Sequence, residues 1–246
     1  TLNFLCRTLN IRYAIQRTTM NLDLPAELDL ALCTMCSDHS YSWGHILPRS
    51  FGRRVEDHIL FRDEQAAECW IVEYDRMIRK LSYWSGGRRV LVKSPGDTGR
   101  IEQIRRQYPA AKFVYVHRDP TSVYHSSAYL WKAIQRDLSL HELHENEIRD
   151  LILDTYHRLL SRYLQQREQI PAGNLVELQH TDLQQDPLRE IRRIYDTLGL
   201  GAPPEEELAN FLAATEKYAH PRYSTSPELK KTLAARWRFA FEEWPE

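Results

Sequence analysis

Glycine is scarce in this chain, and its scarcity removes several classes of binding loop. The 246 residues contain 9 glycines. They include no G-x-G-x-x-G dinucleotide fingerprint, no G-x-x-x-x-G-K-[ST] phosphate loop, no G-x-S-x-G nucleophile elbow and no H-E-x-x-H zinc motif. The sequence therefore excludes a nucleotide site built on a complete glycine-rich loop within these residues.

The chain also has few cysteines, almost no net charge and no long apolar run. Four cysteines are too few for a disulfide scaffold, so we expect a reducing, cytoplasmic setting. Lys and Arg total 33 against 34 Asp and Glu, which gives a net charge of −1 and disfavours a generally basic nucleic-acid binder. No apolar run approaches the roughly 20 residues that a transmembrane helix needs. The length and 42% hydrophobic content predict a single domain over 1–246.

The order of the predicted elements is typical of an α/β domain. Short β-type runs occur at 89–93, 112–117 and 174–179, and the contiguous apolar residues of the first predict a strand buried on both faces. Strands that alternate with helices predict a mostly parallel central sheet flanked by helices. Helices are predicted at 1–9, 63–84 (ended by Gly86-Gly87), 100–108, 119–136, 139–168 (with Ser139 and Glu142 as a capping box), 186–200, 204–215 and 227–241.

Two strand ends are the predicted places for ligands, because open parallel sheets bind ligands beyond the carboxyl ends of their strands. One run ends in Lys93-Ser94-Pro95, and the next ends in Arg118-Asp119-Pro120 at the start of a helix. Free N–H groups at that helix N-terminus, together with Arg118, predict an anion site. Ser126, two turns into the helix, is placed to reach a bulky anion. The alternative is that Arg118 pairs with Asp119 or another surface carboxylate.

Asp97 has two interpretations that the sequence leaves open. It precedes a predicted helix and suits the role of an N-cap residue. It also suits the role of a general base, provided that burial raises its pKa. His39, His45 and His58 are further candidate bases, although an ordinary packed or surface histidine is the favoured interpretation of each.

No metal site is expected. Cys33 and Cys36 form a single C-x-x-C without the further ligands that zinc requires, and core packing is the favoured role. His141 and His144 lie three residues apart with no evident third ligand, which favours a solvated helix face.

The segment VLVKSPGDTGRIEQIRRQYPAAKFVYVHRDPTSVYHSS, residues 90–127, resembles the sulfotransferase family. It contains a K-S-P loop and an R-D-P-x-x-V-x-x-S segment in family order. The strand, D-P and L-G-L pattern of 174–200 and the tail 220–237 are similar to the family as well. The resemblance covers about 90–240 and is specific because several motifs recur at family spacing.

The resemblance implies transfer of a sulfuryl group from 3′-phosphoadenosine 5′-phosphosulfate (PAPS) to a hydroxyl or amine, on a P-loop-kinase-like layout without a metal. It implies that Arg118 and Ser126 hold the 3′-phosphate of PAPS, with Arg222 in the tail near the same group. It further implies that Lys93 stabilises charge at the reacting centre. Asp97 stands where family relatives often have a histidine base.

The family's first strand and phosphosulfate loop, which ends near S-G-T-T-L, are not recognisable in the chain. We expect Thr1 to be part of that loop, and the first strand to lie upstream of it.

Residues 10–84 are expected to bind the acceptor, a small molecule, lipid, glycan or peptide, and the oligomeric state is open. The alternative function is a non-catalytic relative that binds a nucleotide or a partner; a P-loop nucleotide kinase is disfavoured by the absent Walker lysine motif. Five aromatic residues in this region favour an aromatic acceptor pocket, although aromatic residues are equally common in cores: Trp43, Phe51, Trp70, Tyr83 and Trp84.

Overall fold

A computed structural model describes residues 26–35, 40–214 and 223–245. Thr1, Arg222 and the predicted helix 1–9 lie outside the described residues. Short 3-10 or π turns occupy Pro48–Ser50, Glu56–Leu60 and Pro95–Gly99. The α-helices in the described part of the chain are α1 (Leu28–Met35), α2 (Trp43–Ile46), α3 (Phe51–Val55), α4 (Glu64–Trp84), α5 (Ile101–Gln107), α6 (Pro120–Asp137), α7 (Glu145–Arg167), α8 (His180–Gln185), α9 (Pro187–Leu198), α10 (Glu205–Ala214), α11 (Pro227–Arg236) and α12 (Arg238–Glu243).

The described residues form one small parallel sheet. Strand β1 (Phe113–His117) pairs with β2 (Leu175–Gln179), and Phe113 lies opposite Leu175 in the register. Helices α6 and α7 make the crossover between them, as a parallel pair requires. The predictions of strands at 112–117 and 174–179, and of their parallel pairing, are confirmed.

The predicted strand at 89–93 is wrong. These residues form neither a helix nor a strand, and within the described parts of the chain no strand pairs with them. Leu91 is 93% exposed, so the segment is not buried on both faces either. A run of Val and Leu favours an extended backbone, but pairing requires a partner that local sequence does not reveal.

Caps and apolar periodicity explain why helices α4 and α9 match their predictions. Helix α4 begins after Asp63, whose carboxylate accepts a hydrogen bond from the backbone N–H of Ala66 at 2.8 Å. It ends before Gly86 and Gly87, which take the positive φ angles of 68° and 79° that glycine adopts readily. Helix α9 is likewise capped by the Asp186 carboxylate.

The predicted capping box of Ser139 and Glu142 is wrong, because α7 begins only at Glu145. The Ser139 hydroxyl donates instead to the backbone carbonyl of His45 at 2.8 Å. The cap lies further along the chain, where the Glu147 carboxylate accepts from the backbone N–H of His144 at 2.7 Å.

The described chain divides into two compact units. The first consists of the described residues up to Gln103 with Ser126–Tyr163, and the second consists of Ile104–His125 with the described residues from Leu164 onward. The single-domain organisation stays a prediction. Each unit has its own apolar core: Leu32, Val55, Ile59, Trp70, Ile134 and Leu153 are buried in the first, and Val176, Leu178, Ile194 and Leu198 in the second.

Among the described helices, none is long and apolar enough to cross a membrane. The cytoplasmic location stays a prediction.

Candidate active site

The loop that follows residues 89–93 carries the first group of predicted site residues. Lys93 is not buried: its side chain is 76% exposed, and its ammonium group forms an ion pair with Glu27. The expectation of a buried strand behind this lysine is therefore wrong. The lysine is held by an exposed ion pair, which water screens and which a stronger anion can displace.

Ser94 anchors the loop to α1. Its hydroxyl donates a hydrogen bond to the Asp29 carboxylate, while its backbone carbonyl accepts from the N–H of Asp97 at 3.2 Å. Gly96 packs closely in the turn that follows. A Cβ added there would lie 3.0 Å from both Arg100 Nη1 and Tyr41 Cε1, so these neighbours leave little room for a side chain.

Arg100 is the buried centre of this loop. Its side chain is fully buried, and its two terminal nitrogens each donate to the Asp29 carboxylate at 3.0 Å. Nη1 also donates to Asp97 Oδ1 at 3.1 Å, and Nε donates to the backbone carbonyl of His58 at 2.9 Å. The guanidinium lies 4.3 Å from the ring centroid of Trp70, a cation–π contact. These bonds satisfy a cation that would otherwise be costly to bury.

Asp97 sits beside Arg100 and binds side chains rather than capping a helix. One carboxylate oxygen accepts from Arg100, and the other accepts from the Tyr74 hydroxyl at 3.2 Å. The described structure shows no backbone N–H bound to this carboxylate, so the cap interpretation is not supported. Burial is the main cause that raises the pKa of Asp97 to about 6, against the opposing charge of Arg100. A carboxyl with this pKa exchanges a proton near neutral pH.

The end of β1 carries the second group, in the second unit. The Asp119 carboxylate caps α6, accepting from the backbone N–H groups of Thr121 at 3.1 Å and Ser122 at 2.7 Å. It therefore does not pair with Arg118, and it occupies N–H groups that we expected to be free for an anion. Arg118 is half-buried, and among the described residues it has no carboxylate partner.

Ser126 lies on α6 with its side chain exposed. The residue before it, His125, contacts Tyr223 and Thr225 at the beginning of the described segment 223–245. The rings of His125 and Tyr223 stack at 4.8 Å with an interplanar angle of 9°, and His125 Nε2 is hydrogen-bonded to Thr225 Oγ1 at 2.8 Å. Arg222, which lies outside the described residues, immediately precedes this contact in the sequence.

Two of the three candidate histidines lie among the described residues. His45 is packed between Tyr41, Phe51 and Trp131, and burial lowers its pKa to about 4, so it is neutral at pH 7. His58 contributes its backbone carbonyl to Arg100, and His39 lies outside the described residues.

The five aromatic residues expected to line the acceptor pocket do not share an environment. Phe51 and Trp70 are buried in the core of the first unit, whereas Tyr83 and Trp84 are each 90% exposed. Trp43 is half-buried and donates from its indole nitrogen to the Cys33 carbonyl at 3.1 Å. Cys36 lies outside the described residues, which contain no cluster of three or more His, Cys, Asp or Glu fit for a metal.

Both loops lie in a region that matches a known protein family. The sequence pattern described as the sulfotransferase family matches residues 33–204, well over half of the chain. The chain belongs to the sulfotransferase family. The matched region contains both the K-S-P loop and the end of β1, so the resemblance found in the sequence is confirmed at the level of the family.

Two curated members of the family are similar over most of this chain. They are the omega-hydroxy-beta-dihydromenaquinone-9 sulfotransferases Stf3 of Mycobacterium bovis and of Mycobacterium tuberculosis. Each is 27% identical over 234 residues, which cover 91% of this chain but only 58% of the relative's own length.

A solved family structure shows the fold. The crystal structure of sulfotransferase STF9 from Mycobacterium avium superposes with a TM-score of 0.74 at 20% sequence identity. The likeness covers 98% of this chain and 62% of that one. The prediction of an α/β fold with a P-loop-kinase-like layout is confirmed.

Three residues of the site in this family member were not predicted: Asp29, Tyr74 and Arg100. Asp29 did leave a signal, because it is a lone carboxylate inside the apolar run LDLAL, and a buried acid needs a partner. Arg100 left none, since its partner Asp29 is 71 residues away and arginines are frequent in the surrounding sequence.

Proposed function

We propose that this protein transfers a sulfuryl group from PAPS to a hydroxyl acceptor. The observation that carries the proposal is the Asp97 carboxyl, with a pKa of about 6, in the loop that begins with Lys93. The loop matches the family's K-S-P motif. A cation and a proton acceptor in one loop are what transfer to a hydroxyl demands, whereas a non-catalytic binder needs neither.

The nucleotide part of the proposal rests on Arg118. A half-buried guanidinium without a carboxylate partner among the described residues is suited to an anion of the ligand. We assign it to the 3′-phosphate of PAPS, as the family resemblance implies. The family resemblance implies that Ser126, whose side chain is exposed, and Arg222 bind the same phosphate.

PAPS supplies the activated sulfuryl group when it is bound. The hydroxyl oxygen of the acceptor forms a bond to sulfur while Asp97 accepts the proton of that hydroxyl. At the same time the bond between sulfur and the oxygen of the leaving phosphate breaks. Lys93 neutralises the charge that develops at the transferred group or the leaving phosphate. For this, Lys93 exchanges Glu27 for the ligand, at the modest cost of about 1 kcal/mol or less for an exposed ion pair.

The acceptor class is proposed from the relatives alone. The two curated relatives are named for a hydroxylated dihydromenaquinone, an apolar molecule with a hydroxyl group. We propose an apolar hydroxylated acceptor for this protein as well.

The test is transfer of radioactive sulfate from labelled PAPS to an ω-hydroxylated menaquinone, resolved by chromatography. Lys93→Ala should lower kcat by about 100-fold, because its interaction strengthens in the transition state. The matched control is Lys132→Ala, since Lys132 is 65% exposed and also pairs with a glutamate, Glu145. It should keep full activity.

Both variants should unfold at the temperature of the wild type, because each loses only an exposed ion pair. A fully active Lys93→Ala protein would refute the assignment of this lysine. Tight binding of adenosine 3′,5′-bisphosphate without any transfer would instead favour the non-catalytic alternative.

A further inference from the structure

Asp29 is a buried carboxylate that no family motif identifies. It lies in the first turn of α1, and the residue is only 1% exposed. Its carboxylate accepts two hydrogen bonds from Arg100 and one from the Ser94 hydroxyl. It thus binds two residues of the proposed catalytic loop from a distant part of the sequence.

A count of charges around Arg100 shows what this carboxylate does. One guanidinium faces two carboxylates, Asp29 and Asp97, so its single positive charge cannot balance both. Asp29 binds both terminal nitrogens, the strong bidentate arrangement, whereas Asp97 receives one bond from a nitrogen that it shares with Asp29. The positive charge of Arg100 therefore stabilises the Asp29 carboxylate more than the Asp97 carboxylate.

The other groups around Asp97 do not compensate for this. From α4, Tyr74 donates a neutral hydrogen bond to it. Tyr41 lies with its ring centroid 5.8 Å from the guanidinium carbon, and burial raises the pKa of its hydroxyl, so it stays neutral. Glu27 adds negative charge near Tyr41, but it is paired with Lys93.

We propose that Asp29 is a positioning residue of the active site, which diverts the charge of Arg100 from Asp97 and so keeps Asp97 basic enough to accept the acceptor's proton. Through Ser94 it also fixes the loop that carries Lys93. The proposal rests on the proposed role of Asp97 as the base. Asp29 itself touches neither acceptor nor nucleotide in this scheme.

The direct test is the titration of Asp97 by carboxyl carbon NMR, with the resonance assigned through Asp97→Asn. In Asp29→Asn the guanidinium has Asp97 as its remaining carboxylate partner. The pKa of Asp97 should therefore drop by about one to two units, as it does for an aspartate that pairs alone with an arginine. An unchanged pKa would overturn the proposal. This measurement requires no enzymatic activity.

Glu190→Gln is the matched control. Glu190 is also buried and bridges two arginines, accepting from Arg189 Nε at 3.0 Å and Arg193 Nε at 2.8 Å, but it lies in the second unit. Its loss should lower thermal stability as the loss of any such bridge does, and leave the pKa of Asp97 unchanged. An equal shift of the Asp97 pKa in this control would refute a specific role for Asp29.

Ser94→Ala provides a second variant that removes no buried charge, in case Asp29→Asn does not fold. Without the hydrogen bond from the Ser94 hydroxyl, the Asp29 carboxylate interacts more strongly with Arg100. The pKa of Asp97 should then rise, whereas in Asp29→Asn it should fall. A fall or no change would contradict the charge competition.

The pH dependence of kcat/KM, which reports the pKa values of the free enzyme, links the titration to catalysis. In Asp29→Asn the acidic limb should move to lower pH by the same amount as the pKa of Asp97, and the maximal rate should fall because a weaker base accepts the proton. A shifted pKa with an unmoved limb would overturn the positioning role. An inactive wild type would instead refute the proposed function, while the NMR titration would still decide how the charge is divided.

Discussion

Removal of Arg118 tests the nucleotide site with little interference from the fold. The guanidinium follows β1, is half-buried, and lacks a carboxylate partner among the described residues. Asp119, its nearest acidic neighbour in sequence, is committed to the cap of α6. Arg118→Ala therefore breaks no ion pair in the described structure, and we expect an unchanged melting temperature.

The expected loss of affinity follows from the type of bond. A hydrogen bond between a charged guanidinium and a phosphate contributes about 1.5–3 kcal/mol, which corresponds to a roughly ten- to hundredfold weaker Kd. Only a ligand that carries the 3′-phosphate can lose this contribution. The loss should therefore appear with adenosine 3′,5′-bisphosphate and not with adenosine 5′-monophosphate.

Calorimetric titration of both nucleotides into the wild type and Arg118→Ala measures this difference. Arg89→Ala is the control, since Arg89 is an exposed arginine that also lacks a carboxylate partner among the described residues. If Arg118→Ala weakened both nucleotides equally, the assignment of Arg118 to the 3′-phosphate would be refuted.

Two further predictions concern stability. The raised pKa of Asp97 means that the folded state holds its proton more tightly than the unfolded chain, so its contribution to the free energy of unfolding is greatest at low pH and falls by about 3 kcal/mol as pH rises from 3.8 to about 6. Urea titrations across this range should show the wild type losing stability relative to Asp97→Asn, and parallel curves would contradict the raised pKa. Gly99→Ala should cost about 1–3 kcal/mol, because its Cβ would lie 2.7 Å from Ile59 Cγ2. Gly52→Ala, with open space at its Cβ, is the control, and equal stability of the two variants would contradict this packing.

Local sequence was sufficient for most of the regular elements. Helix α4 repeats its apolar residues at helical spacing, and Asp63 and Gly86 mark its ends, so pattern and boundaries agree. The same holds for α9, between Asp186 and Gly199. Helices α1, α2, α3 and α8 were not predicted. Each has eight residues or fewer, and an apolar period is harder to recognise over so few turns, although the short helix α5 was predicted.

The site was only partly predictable, since motifs identify loops but not the residues that support them from elsewhere. The K-S-P and R-D-P segments pointed to Lys93, Asp97 and Arg118. The partners that determine the chemistry of Asp97 come from α1 and α4, and the separation of 71 residues between Asp29 and Arg100 cannot be read from local spacing. The exposure of Lys93 was missed for the related reason that the pairing of 89–93 was inferred from composition.

The bond between Asp29 and Arg100 has a consequence for how this protein can be altered. Because the guanidinium is fully buried, deleting α1 or replacing Asp29 with an apolar residue removes its bidentate partner and leaves the cation with a single hydrogen bond to a carboxylate, that of Asp97. Replacing both residues with a well-packed apolar pair removes the buried cation together with its main anion. Tolerated substitutions at positions 29 and 100 should therefore occur together rather than singly. A shortened version that begins after α1 cannot keep the catalytic loop in its present shape, even though every residue of the K-S-P motif would still be there.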